Sequence, residues 1–181
     1  MSTFFDRYEN NDSQVNQTPG GTRAQVQSSY QHKYVEHRME FVARIRGVDY
    51  INHSIATNLE GVWDSLAKSD KPVVWIAGNI DHQADYNMLN EVISDHVKAI
   101  VAMGPHKNFR LMQAFSKYVK TMVDATNMDE AVMYACSIAE PGYKILFSPG
   151  CRSYGEYESF KERGRDFKTR VIDIYKGLLR G

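Results

Sequence analysis

The sequence predicts an α/β fold: a Rossmann-like, mostly parallel sheet flanked by helices, preceded by a short hairpin and a polar N-terminal tail. Three observations carry this. Short apolar runs, PVVWIA at 72–77, VKAIVAM at 97–103 and YKILF at 143–147, read as buried strands. Segments with apolar residues at helical spacing alternate with them, which is the pattern of parallel βα units. Turn-forming breaks follow the runs: Gly78-Asn79, Gly104-Pro105 and Ser148-Pro149-Gly150-Cys151.

The elements follow in chain order. Residues 1–35 are rich in Gly, Ser, Thr, Asn and Gln and hold too little apolar surface to offset their ordering entropy, so they read as a flexible tail. Phe4, Phe5 and Tyr8 form an aromatic cluster there that could order on a partner. Residues 36–181 read as the folded domain. Strands over 38–45 and 48–52 flank a turn at Arg46-Gly47. Thr57 is placed to cap a helix with Leu59, Val62, Trp63 and Leu66 on its inner face. After the strand at 72–77, Asp85 caps a helix carrying Leu89, Val92 and Ile93. The strand at 97–103 leads to a helix with Phe109, Met112 and Phe115 turned inward. A short strand at 121–123 precedes a helix with Ala131, Val132, Ala135 and Ile138. The last strand, 143–147, leads to a long helix with Phe160, Phe167, Val171, Ile174 and Leu178. Along that helix Glu156, Glu158, Lys161, Glu162, Arg163, Arg165, Asp166, Lys168 and Arg170 alternate in sign, which predicts a solvated face.

Composition narrows the function classes. In 181 residues there are 22 Lys+Arg and 22 Asp+Glu, so the net charge is zero and no field draws in a nucleic acid. The 2 cysteines, Cys136 and Cys151, supply neither a disulfide framework nor a zinc cluster. There is no apolar run long enough to span a membrane and no secretory leader, so the expected compartment is the cytoplasm.

Ligands of open α/β sheets sit beyond the carboxyl ends of strands, which directs attention to 78–82, 104–106 and 148–154. No P-loop and no G-x-G-x-x-G pattern is present, so the chain lacks the usual self-contained nucleotide sites. His53, His82 and His106 fall at loop or strand ends without carboxylate or thiolate neighbours at ligand spacing, so no metal site is expected. Cys151 lies near a helix start, where a thiol can ionise more easily, yet no base accompanies it. Ser148 and Ser153 read as hydrogen-bonding or capping groups.

Three stretches together resemble a known family. They are His37-Arg38-Met39-Glu40-Phe41-Val42 with Gly47 through Asn58; Ala77-Gly78-Asn79-Ile80-Asp81-His82-Gln83-Ala84-Asp85-Tyr86; and Leu146-Phe147-Ser148-Pro149-Gly150-Cys151-Arg152-Ser153 with Phe160-Lys161-Glu162-Arg163-Gly164 and Phe167. Their order and spacing resemble the C-terminal domain of the Mur ligases, closest to the D-glutamate-adding members. The resemblance implies a Rossmann-like domain that closes over ATP and the incoming amino acid, the phosphate cradle lying in a separate central domain. It places Arg38, His53, Thr57 and Asn58 at nucleotide-binding positions. It places His82, Ser153, Tyr154 and Phe160 at amino-acid-binding positions.

Departures from the family pattern concern charge. Where the family reads N-D-S-K-[AS]-T-N, this chain reads Asn52-His53-Ser54-Ile55-Ala56-Thr57-Asn58, so an acid has become His53 and a lysine Ile55. The lysine of the second motif has become His82, and Arg152 stands in the third motif as a compensating cation. Losing preorganised charges costs about 10²–10³ in rate for each. The expectation is therefore a stand-alone, catalytically inactive domain, without catalytic residues, metal or required cofactor, that acts in binding, assembly or regulation linked to peptidoglycan precursor synthesis. It would engage a protein partner or a second copy. The alternatives are an in-trans component of a split D-glutamate ligase, which would need ATP and Mg²⁺, and a sensor of a small acidic amino acid or nucleotide.

Overall fold

The computed structural model describes residues 35–80, 83–104, 108–153 and 157–178. The expectations placed on the tail, with Phe4, Phe5 and Tyr8, and on His82, His106 and Tyr154 fall outside these residues. Six strands form one sheet in the order β1-β2-β6-β3-β4-β5. They are β1 (Glu40–Ile45), β2 (Val48–Asn52), β3 (Val73–Ala77), β4 (Val97–Met103), β5 (Thr121–Ala125) and β6 (Lys144–Phe147). Among the described residues five α-helices accompany them: α1 (Leu59–Ala67), α2 (Asn90–His96), α3 (Phe109–Phe115), α4 (Met128–Ile138) and α5 (Phe160–Leu178), with a 3-10 turn at Tyr86–Leu89.

Only the β1–β2 pair is antiparallel. Its turn puts Arg46 at φ 50° and Gly47 at φ 80°, the mirror-image turn whose twist suits a hairpin. Every other neighbour pairs in parallel. The carboxyl ends of β2, β3, β4, β5 and β6 therefore share one end of the sheet with the start of β1. From β3 the chain steps outward to β4 and β5, then crosses back so that β6 lies on the other side of β3. The β3–β6 seam is the topological switch point, where connections leave in opposite directions and a crevice opens.

The two sheet faces bury different sets. Val73, Trp75, Ala77, Ile100 and Leu146 pack with Leu59, Val62, Leu66, Ile93, Leu111 and Phe115. Trp75 meets Phe115 edge to face at 6.1 Å between centroids. The other face is covered by α4 and α5, and Phe147 stacks on Phe167 at 5.0 Å. Two expected inward residues are not core: Phe109 is 69% exposed and Trp63 43%. In α3 the inward stripe starts at Leu111, because the helix begins only at Phe109 and its first residue overhangs the sheet. Among the described residues no helix is long and apolar enough to cross a membrane.

The opposite end of the sheet is closed by charge. Arg44 donates from Nε to Asp49 Oδ1 at 2.5 Å and from Nη2 to Oδ2 at 3.0 Å, and Lys71 also pairs with Asp49. The Arg44 guanidinium, aided by the Lys71 ammonium, holds the Asp49 carboxyl down at about 2 against an ordinary 3.8. A depressed folded-state value means stability that is complete above about pH 4 and lost as pH falls toward 2. Arg44 is 60% exposed, so solvent screening trims the gain. Asp49→Asn is expected to lower stability at pH 7 by about 1–2 kcal/mol. It should also flatten the acid limb of stability below about pH 4, read by urea titration across pH.

Candidate functional site

A cleft of about 640 Å³ opens at the sheet end that carries the β3 and β6 carboxyl termini. Its walls are the start of α1 (Thr57 to Glu60), the segment after β3 (Asn79, Ile80, Ala84, Asp85, Met88) and the loop after β6 (Gly150 to Arg152). Two of the three loops expected from strand polarity line it. Gly104 does not; a Cβ there would stand 2.9 Å from Asn79.

The seam is close-packed. Gly78 donates its N–H to the Pro149 carbonyl at 2.8 Å, and a Cβ at Gly78 would come 2.5 Å from Cys151 Sγ, so a residue without a side chain is needed. Gly150 sits at φ +66°, and its Cβ would meet Val62 at 2.8 Å and Ile80 at 3.0 Å. An alanine at this position would be strained by both the φ and the contacts. Ser148 is fully buried: its carbonyl accepts from Trp75 Nε1 at 2.7 Å, and its hydroxyl meets Ser65 Oγ at 2.9 Å. It is a hydrogen-bonding group, as its sequence context suggests.

The sequence-predicted residues separate into three groups. Thr57, Asn58 and Arg152 line the cleft. Asn58, not Thr57, caps α1: its Oδ1 accepts the Gly61 N–H at 3.0 Å, which leaves the Thr57 hydroxyl to the cleft. Arg152 is exposed, and its guanidinium has no hydrogen bond or ion pair among the described residues.

Arg38 and His53 form the second group. His37 and Met39 both adopt left-handed backbone, at φ 69° and 48°, so Arg38 stands on a kink and points its exposed side chain away from the core. His53 pins that kink. It is 3% exposed, and its Nδ1 accepts the Met39 N–H at 3.0 Å. Burial pushes its imidazole down to about 4, so it is neutral at pH 7. Of the loop histidines, His53 is buried, and it does not line the cleft.

Ser153 and Phe160 make up the third group. Ser153 Oγ is buried without a hydrogen-bond partner, and Phe160 packs edge to face on His37 at 5.9 Å. Neither lines the cleft. Burial raises the Cys151 thiol, while the Arg163 guanidinium works against that rise, so the thiol is not the activated kind. Among the described residues no group of three or more His, Cys, Asp or Glu side chains could hold a metal ion.

The structure corrects the solvated face at two cations, Arg163 and Lys168. Arg163 is 3% exposed, and Lys168 is mostly buried between Glu36 and Glu40 at 2.8 and 2.9 Å. The signal is present in the sequence: Phe160, Arg163, Phe167 and Val171 follow helical spacing, so Arg163 shares the apolar stripe. Asp85 reads in the sequence only as a cap, yet it lines the cleft, as does Met88.

An α/β domain with its cleft at the switch point of a mostly parallel sheet is a ligand-binding architecture. The family profile described as "Mur ligase, glutamate ligase domain" matches residues 37–151, and the chain belongs to the Mur ligases as a C-terminal domain of that family. It is 39% identical over 140 residues to the UDP-N-acetylmuramoylalanine--D-glutamate ligase of Christiangramia forsetii, covering 77% of this chain and 31% of that protein. It is 42% identical over 137 residues to the enzyme of the same name from Chlorobium phaeobacteroides strain BS1, covering 76% of this chain and 29% of that protein. The chain thus spans about a third of the length of the curated relatives it matches. The bifunctional folylpolyglutamate synthase/dihydrofolate synthase of Yersinia pestis superposes with a TM-score of 0.52 at 14% identity, over 77% of this chain and 32% of that one, and shows the same fold.

Two outcomes test this geometry. Gly150→Ala is expected to destabilise by about 1–3 kcal/mol, from positive φ and the Val62 contact, read as a lower melting temperature. The His53 value lies below its ordinary 6.5, so its contribution to stability is present above pH 6.5 and lost as pH falls through about 4. Buried His37 shifts in the same direction. His53→Gln, whose amide oxygen can still take the Met39 N–H, should remove about one proton's share of that slope, measured by denaturation at a series of pH values.

Proposed function

We propose that this Mur ligase C-terminal domain serves binding, assembly or regulation linked to peptidoglycan precursor synthesis and does not support ligation. The observation that carries the reading is the fate of His53. Where the family carries a nucleotide-contacting acid, this chain has a neutral imidazole, buried and committed to the Met39 N–H. Ile55 adds no charge where the family has lysine. These residues do not fit a charged nucleotide contact, and the proposed role requires no cofactor. Its partner is a protein or a second copy of the chain, engaged through the N-terminal segment bearing Phe4, Phe5 and Tyr8.

Reconstitution tests it. The full chain is mixed with a D-glutamate-adding ligase from which the C-terminal domain has been deleted, together with ATP, Mg²⁺, UDP-N-acetylmuramoyl-L-alanine and D-glutamate. The expected phosphate release is no greater than without the chain. Stimulation overturns the reading and makes the chain an in-trans ligase component.

A second reading rests on Arg152, whose free guanidinium borders the cleft. In it the cleft senses a small acidic amino acid or nucleotide. It predicts that D-glutamate or ATP raises the melting temperature of the native chain and that Arg152→Ala abolishes the rise. A flat response in the native chain removes this reading.

A further inference from the structure

We propose that Arg163 is a positioning residue of the cleft: a buried guanidinium that braces the segment after β2 to the loop after β6. Arg163 lies on the first turn of α5, beneath the cleft floor. Its Nη2 donates to the Ser54 carbonyl at 3.2 Å and to the Cys151 carbonyl at 2.9 Å. Its Nη1 donates to the Arg152 carbonyl at 3.3 Å and to Cys151 Sγ at 3.5 Å. One side chain thus gathers three carbonyl oxygens and a sulfur from two segments far apart in sequence.

Charge makes this more than packing. Arginine stays protonated in proteins, and this one is 3% exposed. No carboxylate pairs with it among the described residues, where three carbonyl dipoles and the Cys151 sulfur face the charge. A buried ion held this way contributes less to stability than an apolar side chain of the same volume would. Its Nε–H also has no hydrogen-bond partner. The guanidinium is therefore oriented by the two segments it joins, and its own full satisfaction is given up.

Those segments are the cleft's walls. Cys151 and Arg152 line the cleft directly, and Ser54 lies three residues before Thr57 on the opposite wall. The walls also meet through the Gly150 N–H, which donates to the Ala56 carbonyl at 3.0 Å. With the Arg152 carbonyl held from below, its side chain stands on a fixed backbone. The brace shapes the cleft on which the functional readings rest, but its readout uses no cleft ligand. A failed ligand or ligase assay therefore leaves it untouched.

Amide hydrogen exchange on the full chain tests it. In Arg163→Met the Gly150 amide should exchange about tenfold faster, relative to the amides of β3, than it does in the native chain. A merely structural residue would instead shift Gly150 and β3 together through global stability. Parallel shifts, or no selective increase at Gly150, overturn the proposal. If Arg163→Met does not fold, the native protein decides by nuclear magnetic resonance of its arginine side chains. A braced Arg163 shows separate, slowly exchanging Nη protons. A single averaged, rapidly exchanging signal overturns it.

Discussion

The structure depends on how β6 is inserted beside β3. The crossover brings a strand back across the sheet and leaves its carboxyl end beside that of β3, with the two following loops diverging. Backbone groups at such a seam are buried and must be paired. They are. Ser148 donates its N–H to the Ile76 carbonyl at 3.2 Å and receives the Trp75 indole N–H on its own carbonyl at 2.7 Å. Its hydroxyl is matched with Ser65 on α1. Trp75 thus fills the core on one face and closes the polar seam at its end. The absence of a side chain at Gly78 lets Cys151 come in close. The cleft exists because the loops can part only beyond this tied point.

The same constraint explains what was legible in the sequence. Apolar runs separated by turn residues identify the strands, since fully buried parallel strands must be apolar along their length. The spans β2 (Val48–Asn52) and β4 (Val97–Met103) agree with the expected 48–52 and 97–103, and the loops after β3 and β6 follow from strand polarity alone. What did not follow was which polar residues go inside. His53 stands in a run that resembles a ligand motif, but its burial depends on Met39 reaching it from a kinked segment fourteen residues earlier. Arg163 has charged neighbours in sequence, and only the carbonyls of two distant loops make its burial tolerable. Local pattern records the elements, whereas partners for buried polar groups come from tertiary structure.

Buried polar groups here serve the backbone. A histidine whose imidazole titrates near 4 is, at neutral pH, a shaped acceptor rather than a cation. Here it stabilises a run in which His37 and Met39 both hold left-handed backbone, a conformation that needs its surroundings to enforce it. Glu40 and Asn52 reinforce the same run. The Glu40 carboxylate accepts the His37 N–H and an Asn52 amide proton, both at 2.9 Å, and takes Lys168 on its other oxygen. Arg38 stands free above this network. The network uses its polar groups to hold a backbone, and the exposed Arg38 side chain stands outside it.

Arg152 is held by the same logic at the cleft. Its carbonyl is occupied from below while its guanidinium meets solvent and the cleft. An exposed arginine at the cleft, on a backbone tied from beneath, would suit recognition of an anion under the second reading. Ligation asks for more. Charge developing during reaction must meet preorganised charge of the opposite sign at the reacting atoms. At His53 and Ile55 the residues that would carry such charge are a neutral buried acceptor and an alkyl side chain. Under the proposed binding role the loss of these two charges is tolerable, because binding asks for a stable cleft and not for charge at reacting atoms. Ligation would not tolerate it, because the charge that develops in its transition state has to meet charge already in place.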